Sequence, residues 1–287
     1  MMLPYSVWDV FTETPFTGNP LTIVEDADEL STAQMQTIAR EFNLSETIFV
    51  MAPRDPAHTA RVRIFFPTAE IPFAGHPTIG CALHLSGKRG LDHVILEEEA
   101  GIVPVTLQDG LAELTAPVPP FASPHAPDPD LLARALGLAP ADLGPHCPGT
   151  HEGGPRFAYA PLRSLEALAR AKPMEPHWSQ LMEACAVDSV YLYHQDGPQI
   201  RARLYSPTAG IPEDPATGSA TAILASQLRA NSALPEGTSK WDVTQGVEMG
   251  RPSQLRLTIT QAQGALGPVR IAGRAVPVAQ GQINVPR

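Results

Sequence analysis

Five polar side chains stand where two copies of one short sequence turn from a strand into a helix: His76 and Thr78 in the first copy, Asp214, Thr217 and Ser219 in the second. The N-terminus of a helix presents unpaired N–H groups and about half a positive charge. It is a ready anion site. Two such termini facing each other across a cleft would hold a substrate carboxylate and stabilise the negative charge that develops when a proton is removed. Histidine titrates near neutrality, and a carboxylate desolvated in a closing cleft has its pKa raised towards the same range. The set therefore points to general acid/base chemistry. Each residue also has a plainer role, since an aspartate ahead of a helix is commonly an N-cap and a histidine there can simply satisfy backbone donors. Their placement within a residue of each other in a duplicated frame favours the chemical role.

The duplication is explicit. Arg61-Val-Arg-Ile-Phe-Phe-Pro-Thr-Ala-Glu-Ile-Pro72 returns 140 residues later as Arg201-Ala-Arg-Leu-Tyr-Ser-Pro-Thr-Ala-Gly-Ile-Pro212, with seven of twelve positions identical. One extra residue in the first copy then brings Thr78 opposite Thr217. Solenoids repeat every ~20–50 residues, so one match at half the chain length implies two related domains, each contributing one strand–elbow–helix unit. Asp214 precedes a proline, which holds it extended at the strand end.

The elements around the elbows follow from local pattern. Tyr5–Thr12 and Leu21–Val24 alternate as strands, and the turn between them carries Gly18 and Asn19, which tolerate positive φ. Ser31 and Gln34 match a capping box, Met35, Ile38, Ala39 and Phe42 form a helical stripe, and Asn43 is a left-handed stop. Leu44–Val50 is a short strand with Glu46 at its entrance; on composition alone Glu46 reads as a solvated loop carboxylate. Strands are also expected at 61–66, 94–96, 102–107, 189–194, 201–205, 254–260 and 269–276, and helices at 131–136, 162–171 and 178–184. The segments 77–85 and 217–228 are small and apolar nearly all round, the mark of an enclosed helix. The expectation is an α+β fold of two pseudo-symmetric domains, each a curled, mostly antiparallel sheet around a central buried helix. The proline-rich run Pro117–Pro129 reads as the crossing between them. That places the first domain at 1–118, completed by a strand near 275–287, and the second at 119–274.

Composition narrows the function. A net charge of −10 argues against nucleic acid and anionic membrane surfaces as partners. No run approaches the ~18 apolar residues of a membrane span, and the N-terminal residues lack the pattern of a secretory signal. Three cysteines, Cys81, Cys147 and Cys185, are sparse and odd in number, as thiols in a reducing cytoplasm would be. His146, Cys147 and His151 could suggest zinc, but a structural site wants four ligands and no fourth is nearby. No phosphate loop, dinucleotide fingerprint or nucleophile elbow is present.

Five ordered segments carry a family resemblance: Phe16-Thr-Gly-Asn-Pro20, Asn43-Leu-Ser-Glu-Thr-Ile-Phe-Val50, Gly75-His-Pro-Thr-Ile-Gly80, Glu213-Asp-Pro-Ala-Thr-Gly-Ser-Ala220 and Gln245-Gly-Val-Glu-Met-Gly-Arg-Pro-Ser253. Together they resemble the phenazine-biosynthesis (PhzF-like) isomerase family, whose fold is similar to diaminopimelate epimerase and proline racemase. The resemblance implies a homodimeric isomerase without cofactor or metal, acting on a small carboxylate-bearing substrate between its two halves. It implies Glu46 as the proton shuttle, with His76, Asp214 and Ser219 orienting substrate and handling protons. Substrate contacts are expected at Gly18, Asn19, Ser45, Gly75, Thr78, Thr217 and Gly218. Arg251 is open between a structural and a ligand-positioning role. The related racemases use two opposed cysteines at the elbows; here those positions hold Gly75 and Asp214, which disfavours a two-thiol racemase.

Two other readings stand beside this one. A tautomerase or lyase would use the same proton transfer on another metabolite. A non-catalytic binding protein would keep the anion site, but ligand capture alone does not call for both a base and a second acid.

Overall fold

The computed structural model describes residues 1–287, the side chain of Ala209 excepted. The chain forms two compact units, Met1–Thr115 with Ala272–Arg287, and Ala116–Ile271. In chain order the first carries β1 (Met2–Val10), β2 (Asn19–Val24), α1 (Thr32–Phe42), β3 (Glu46–Met51), β4 (Ala60–Phe65), β5 (Glu70–Ile71), α2 (Gly75–Arg89), β6 (His93–Glu98), β7 (Gly101–Gln108) and β8 (Leu111–Thr115). The second continues with β9 (Phe121–Ala122), α3 (Pro129–Ala135), β10 (Gly149–Glu152), β11 (Arg156–Pro161), α4 (Leu165–Arg170), α5 (His177–Cys185) and β12 (Val190–Asp196). Then come β13 (Gln199–Ser206), β14 (Ile211–Asp214), α6 (Gly218–Ala230), β15 (Gly237–Gln245), β16 (Ser253–Ala262) and β17 (Ala265–Gly273), and β18 (Ala275–Asn284) belongs to the first unit.

In the first unit β18 runs antiparallel to β1, β1 to β2, β3 to β4, β6 to β7 and β7 to β8. The steps β2–β3 and β4–β6 are parallel. Each parallel step needs a crossover, and α1 and α2 supply the two. The α1 crossover is held by the predicted capping box at Ser31 and Gln34, and it ends at Asn43 with φ 49° and ψ 35°. Its buried face, Met35, Ile38 and Ala39, packs with Val24, Phe49 and Phe65. The sheet curls about α2, which contacts β1, β2, β3, β6, β7, β8 and β18. Gly80 sets how closely that helix approaches. A Cβ there would lie 2.5 Å from Leu21 Cδ2 and 2.7 Å from Val10 Cγ2, inside any real carbon–carbon contact.

The second unit repeats the succession. β10 is antiparallel to β11, β12 to β13 and β15 to β16, while β11–β12 and β13–β15 are parallel. The crossovers are α4 with α5, and α6. The first pair covers a core of Leu132, Leu168, Trp178, Leu181 and Leu192. The second is buried from Ala220 to Leu228. The architecture is α+β, as the sequence pattern required.

Two expected elements differ. The strand expected over 269–276 is broken at Arg274, whose carbonyl leaves the ladder to accept the backbone N–H of Phe11 at 2.7 Å. Its ends belong to β17 and β18. The helix expected over 162–171 begins at Leu165, because the Ser164 hydroxyl accepts from the Ala167 N–H and caps it. Among the described residues no helix is long and apolar enough to cross a membrane.

Candidate active site

In the first unit, parallel pairing places Glu46 opposite Leu21, one turn of chain after the left-handed Asn43. The helix α2 starts at Gly75, with Ala74 as its cap residue. His76 is therefore in its first turn, which aims the imidazole at the sheet. His76 Nδ1 lies 2.9 Å from Glu46 Oε2, and His76 Nε2 lies 3.2 Å from the Asn19 carbonyl oxygen. Both residues are buried, His76 at 2% exposure and Glu46 at 9%. A carbonyl can only accept, so Nε2 carries a proton. One further proton then serves both Nδ1 and Oε2, as imidazolium with carboxylate or as imidazole with carboxylic acid. That shared proton is the chemical content of the site.

The loop that presents Asn19 is built for this. Gly18 has φ 69°, and a Cβ there would collide with the Val10 carbonyl and the Thr12 side chain. The Thr12 hydroxyl meets that of Thr17 at 2.5 Å and accepts the Thr14 N–H at 3.0 Å. Asp9 Oδ2 accepts the Phe16 N–H at 2.6 Å. Asn19 is thus held by its loop while its carbonyl fixes the histidine tautomer.

In the second unit, Asp214 ends β14 and Thr217 is the residue before α6. The Thr217 hydroxyl donates to Asp214 Oδ2 at 2.5 Å. Gln245, fully buried at the end of β15, ties this elbow together. Its Oε1 accepts the Thr217 N–H at 3.2 Å, and its Nε2 donates to the Asp214 carbonyl at 2.8 Å and to Thr217 Oγ1 at 3.1 Å. Gly246, with φ 74°, lets the next loop press against Pro215. Gly218 and Ser219 open α6, and Ser219 is only partly buried.

The duplicated Arg-x-Arg has a structural purpose. Arg63 grips Glu70 through Nε and Nη2, both at 2.6 Å. Arg203 grips Glu213 in the same way, at 2.8 and 3.0 Å. Each guanidinium also lies over the aromatic ring two residues on, Phe65 at 5.3 Å and Tyr205 at 4.9 Å. Each clamp locks the short strand that leads into its elbow.

Within the first unit the structure brings Glu46, His76 and Asn19 into contact, with Gly18 shaping the loop and Ser45 immediately before Glu46. Gly75 is buried at the start of α2. Thr78 is fully buried, and its hydroxyl lies 2.6 Å from the Ala74 carbonyl and 2.7 Å from Glu98 Oε1. Within the second unit Asp214 and Thr217 are bonded, with Gly218 and Ser219 following. Local sequence gives no role to Gln245, although it opens the segment Gln245–Ser253, or to Glu98, which hides in the run Glu97-Glu-Glu99. Of the zinc candidates, His151 is bonded to Ser226 and Gln227 and His146 to Tyr193, while Cys147 is exposed. Among the described residues no three His, Cys, Asp or Glu side chains gather as a metal site. Cys81 is buried inside α2, and burial pushes its thiol far up.

The profile of the family described as phenazine biosynthesis-like protein (PhzC-PhzF) matches residues 8–281. An uncharacterized isomerase of Mesorhizobium japonicum is 40% identical, over 98% of this chain and 98% of that one. A trans-2,3-dihydro-3-hydroxyanthranilate isomerase of Pseudomonas aeruginosa is 35% identical, over 97% of this chain and 98% of its own length. Among solved structures, a PhzF-family phenazine biosynthesis protein of Bacillus anthracis superposes with a TM-score of 0.87 at 25% identity, covering 99% of this chain and 100% of that one.

Proposed function

Because this chain belongs to the phenazine biosynthesis-like family and is an isomerase, we propose that it moves a proton within a small carboxylate metabolite by acid/base catalysis, without a cofactor. The observation that carries this reading is the buried Glu46–His76 contact at 2.9 Å, with the far nitrogen of the imidazole committed to the Asn19 carbonyl. Glu46 removes a proton from carbon, and the imidazole beside it takes up or returns the shared proton. With the shared proton on the imidazole, Glu46 is the carboxylate that takes the proton and becomes neutral, and the imidazolium beside it is balanced by the anion formed on the substrate. The uncapped first turn of α2 favours the anion that forms. Asp214 and Ser219, at the matching elbow of the second repeat, are assigned the second proton-handling role and the orientation of the substrate. Proton return at a different carbon gives a shifted double bond, and at the same carbon it gives an epimer.

The Pseudomonas aeruginosa relative is named for isomerising trans-2,3-dihydro-3-hydroxyanthranilate, which makes that compound the first probe. In deuterium oxide, the enzyme should place deuterium on the carbon that receives the returning proton. Replacing Glu46→Gln should lower turnover by about 10²–10⁴-fold, the range that general acid/base groups supply. Normal turnover by Glu46→Gln on a substrate that wild type converts would remove Glu46 from the mechanism. Tight binding of carboxylates with no deuterium uptake into any of them would instead favour a binding protein.

A further inference from the structure

Glu98 closes β6 directly beneath the first turn of α2, and nothing in the proposed reaction uses it. Its side chain is 8% exposed, and its Oε2 has no hydrogen-bond partner among the described residues. Its Oε1 meets only Thr78 Oγ1, at 2.7 Å. The same hydroxyl lies 2.6 Å from the Ala74 carbonyl, which also accepts the Thr78 N–H at 3.3 Å. A threonine hydroxyl has one proton to give, and a carbonyl has none. With both short contacts made and the Thr78 hydroxyl donating its one proton to the Ala74 carbonyl, the proton in the second contact comes from the glutamate. Glu98 is then a carboxylic acid donating to Thr78.

The surroundings agree with a neutral group. On β4, Arg61 faces Glu99 and Arg63 is gripped by Glu70. β7 carries no ionisable side chain. On α2, His76 meets Glu46, His84 and Lys88 meet Glu25, Arg89 donates to the Thr59 carbonyl, and Cys81 is a buried thiol. No cation is paired with Glu98 among the described residues. Burial accordingly pushes its carboxyl up to about 8.

We propose that Glu98 is a positioning residue for the Glu46–His76 pair, a neutral acid whose bond to Thr78 keeps the first turn of α2 closed. The chain of contacts is short. Thr78 closes the turn on the Ala74 carbonyl, and His76 projects from that same turn onto Glu46 and Asn19. Ionising Glu98 gives the Thr78 hydroxyl a charged acceptor in place of a donor. It competes with the Ala74 carbonyl for the hydroxyl's proton, and the side-chain closure of the turn that carries the imidazole is lost. The inference takes Glu46 and His76 as the proton-handling pair, but it concerns their geometry rather than any substrate.

The test is nuclear magnetic resonance on the full chain without substrate, so a missing isomerase activity leaves it unaffected. In wild type, the Glu98 carboxyl carbon should show the chemical shift of a protonated acid at pH 7, and the His76 ring signals should move in step with Glu98 ionisation at alkaline pH. Glu98→Gln, whose amide can donate to Thr78 at every pH, should lose that alkaline step while the ring signals at pH 7 stay near those of wild type. A Glu98 carboxyl already ionised at pH 7 would overturn the proposal, whatever the variant does. So would a His76 step that survives unchanged in Glu98→Gln.

Discussion

Adjacent carboxyls Glu97 and Glu98 point to opposite faces of β6, as strand alternation requires, and the two faces treat charge oppositely. The Glu97 carboxylate accepts the Asp55 N–H, the His58 ring and the Arg54 N–H, and these hold it down to about 2. Burial without comparable donors raises Glu98 to about 8. An unfolded glutamate titrates near ~4.3. Between that value and about 8, native Glu98 keeps a proton that the unfolded chain has lost. The stability it contributes is therefore full below the unfolded value and declines as pH rises through this window. Denaturant titration from pH 5 to 8.5 should show wild type losing ground to Glu98→Gln by up to about 1.4 kcal/mol per pH unit. A constant difference across that range would mean Glu98 is ionised throughout. Glu97 works in the opposite sense, its contribution being present above the unfolded value and lost as pH falls towards about 2.

At the scale of elements, the duplicated segment made α2 and α6 legible, because an enclosed helix must be small and apolar on every side. The starts were less so: Pro77 was expected to open α2, but it lies in the third position, where its missing N–H would have been unpaired in any case. β9, β10 and β11 escaped notice because proline, glycine and charge break their alternation, and β10 is defined by its bonds to neighbours on both sides. The Glu46–His76 contact spans thirty residues of chain. No local pattern encodes it, and only the family resemblance singled out Glu46. The arginine clamps were visible as identities, yet their purpose needed Glu70 and Glu213 in place. Their burial differs, and so should their cost. The Arg203 side chain is 8% exposed and also donates to the carbonyls of Leu168, Ala169 and Ala171, while that of Arg63 is 14% exposed beside a more open Glu70. Removing one partner of a buried pair strands the other at about 3–5 kcal/mol. Arg203→Met should approach that loss in urea titration, and Arg63→Met should fall clearly short. Equal losses would show that the clamp acts through geometry alone, independent of burial.

For the whole molecule, the decisive feature is that the first unit is discontinuous in sequence. β18 runs the length of β1, from Asn284 opposite Met2 to Ala275 opposite Val10. The Pro286 carbonyl accepts from the Gln34 amide, and Ile283 and Val285 pack on the α1 core. The N-terminal strand therefore has its outer edge covered only after the last residues are in place, and a bare edge is a template for aggregation. Deleting residues 272–287 should speed amide exchange throughout β1 and increase aggregation. β12 and β13 pair with strands confined to Ala116–Ile271, so their amides should remain protected in the same sample. Loss of protection in β12 and β13 together with β1 would instead make the chain one cooperative unit. In that case removing a surface strand would disturb Asp214 and Thr217 as much as Glu46 and His76. Exchange read strand by strand separates the two outcomes without any substrate.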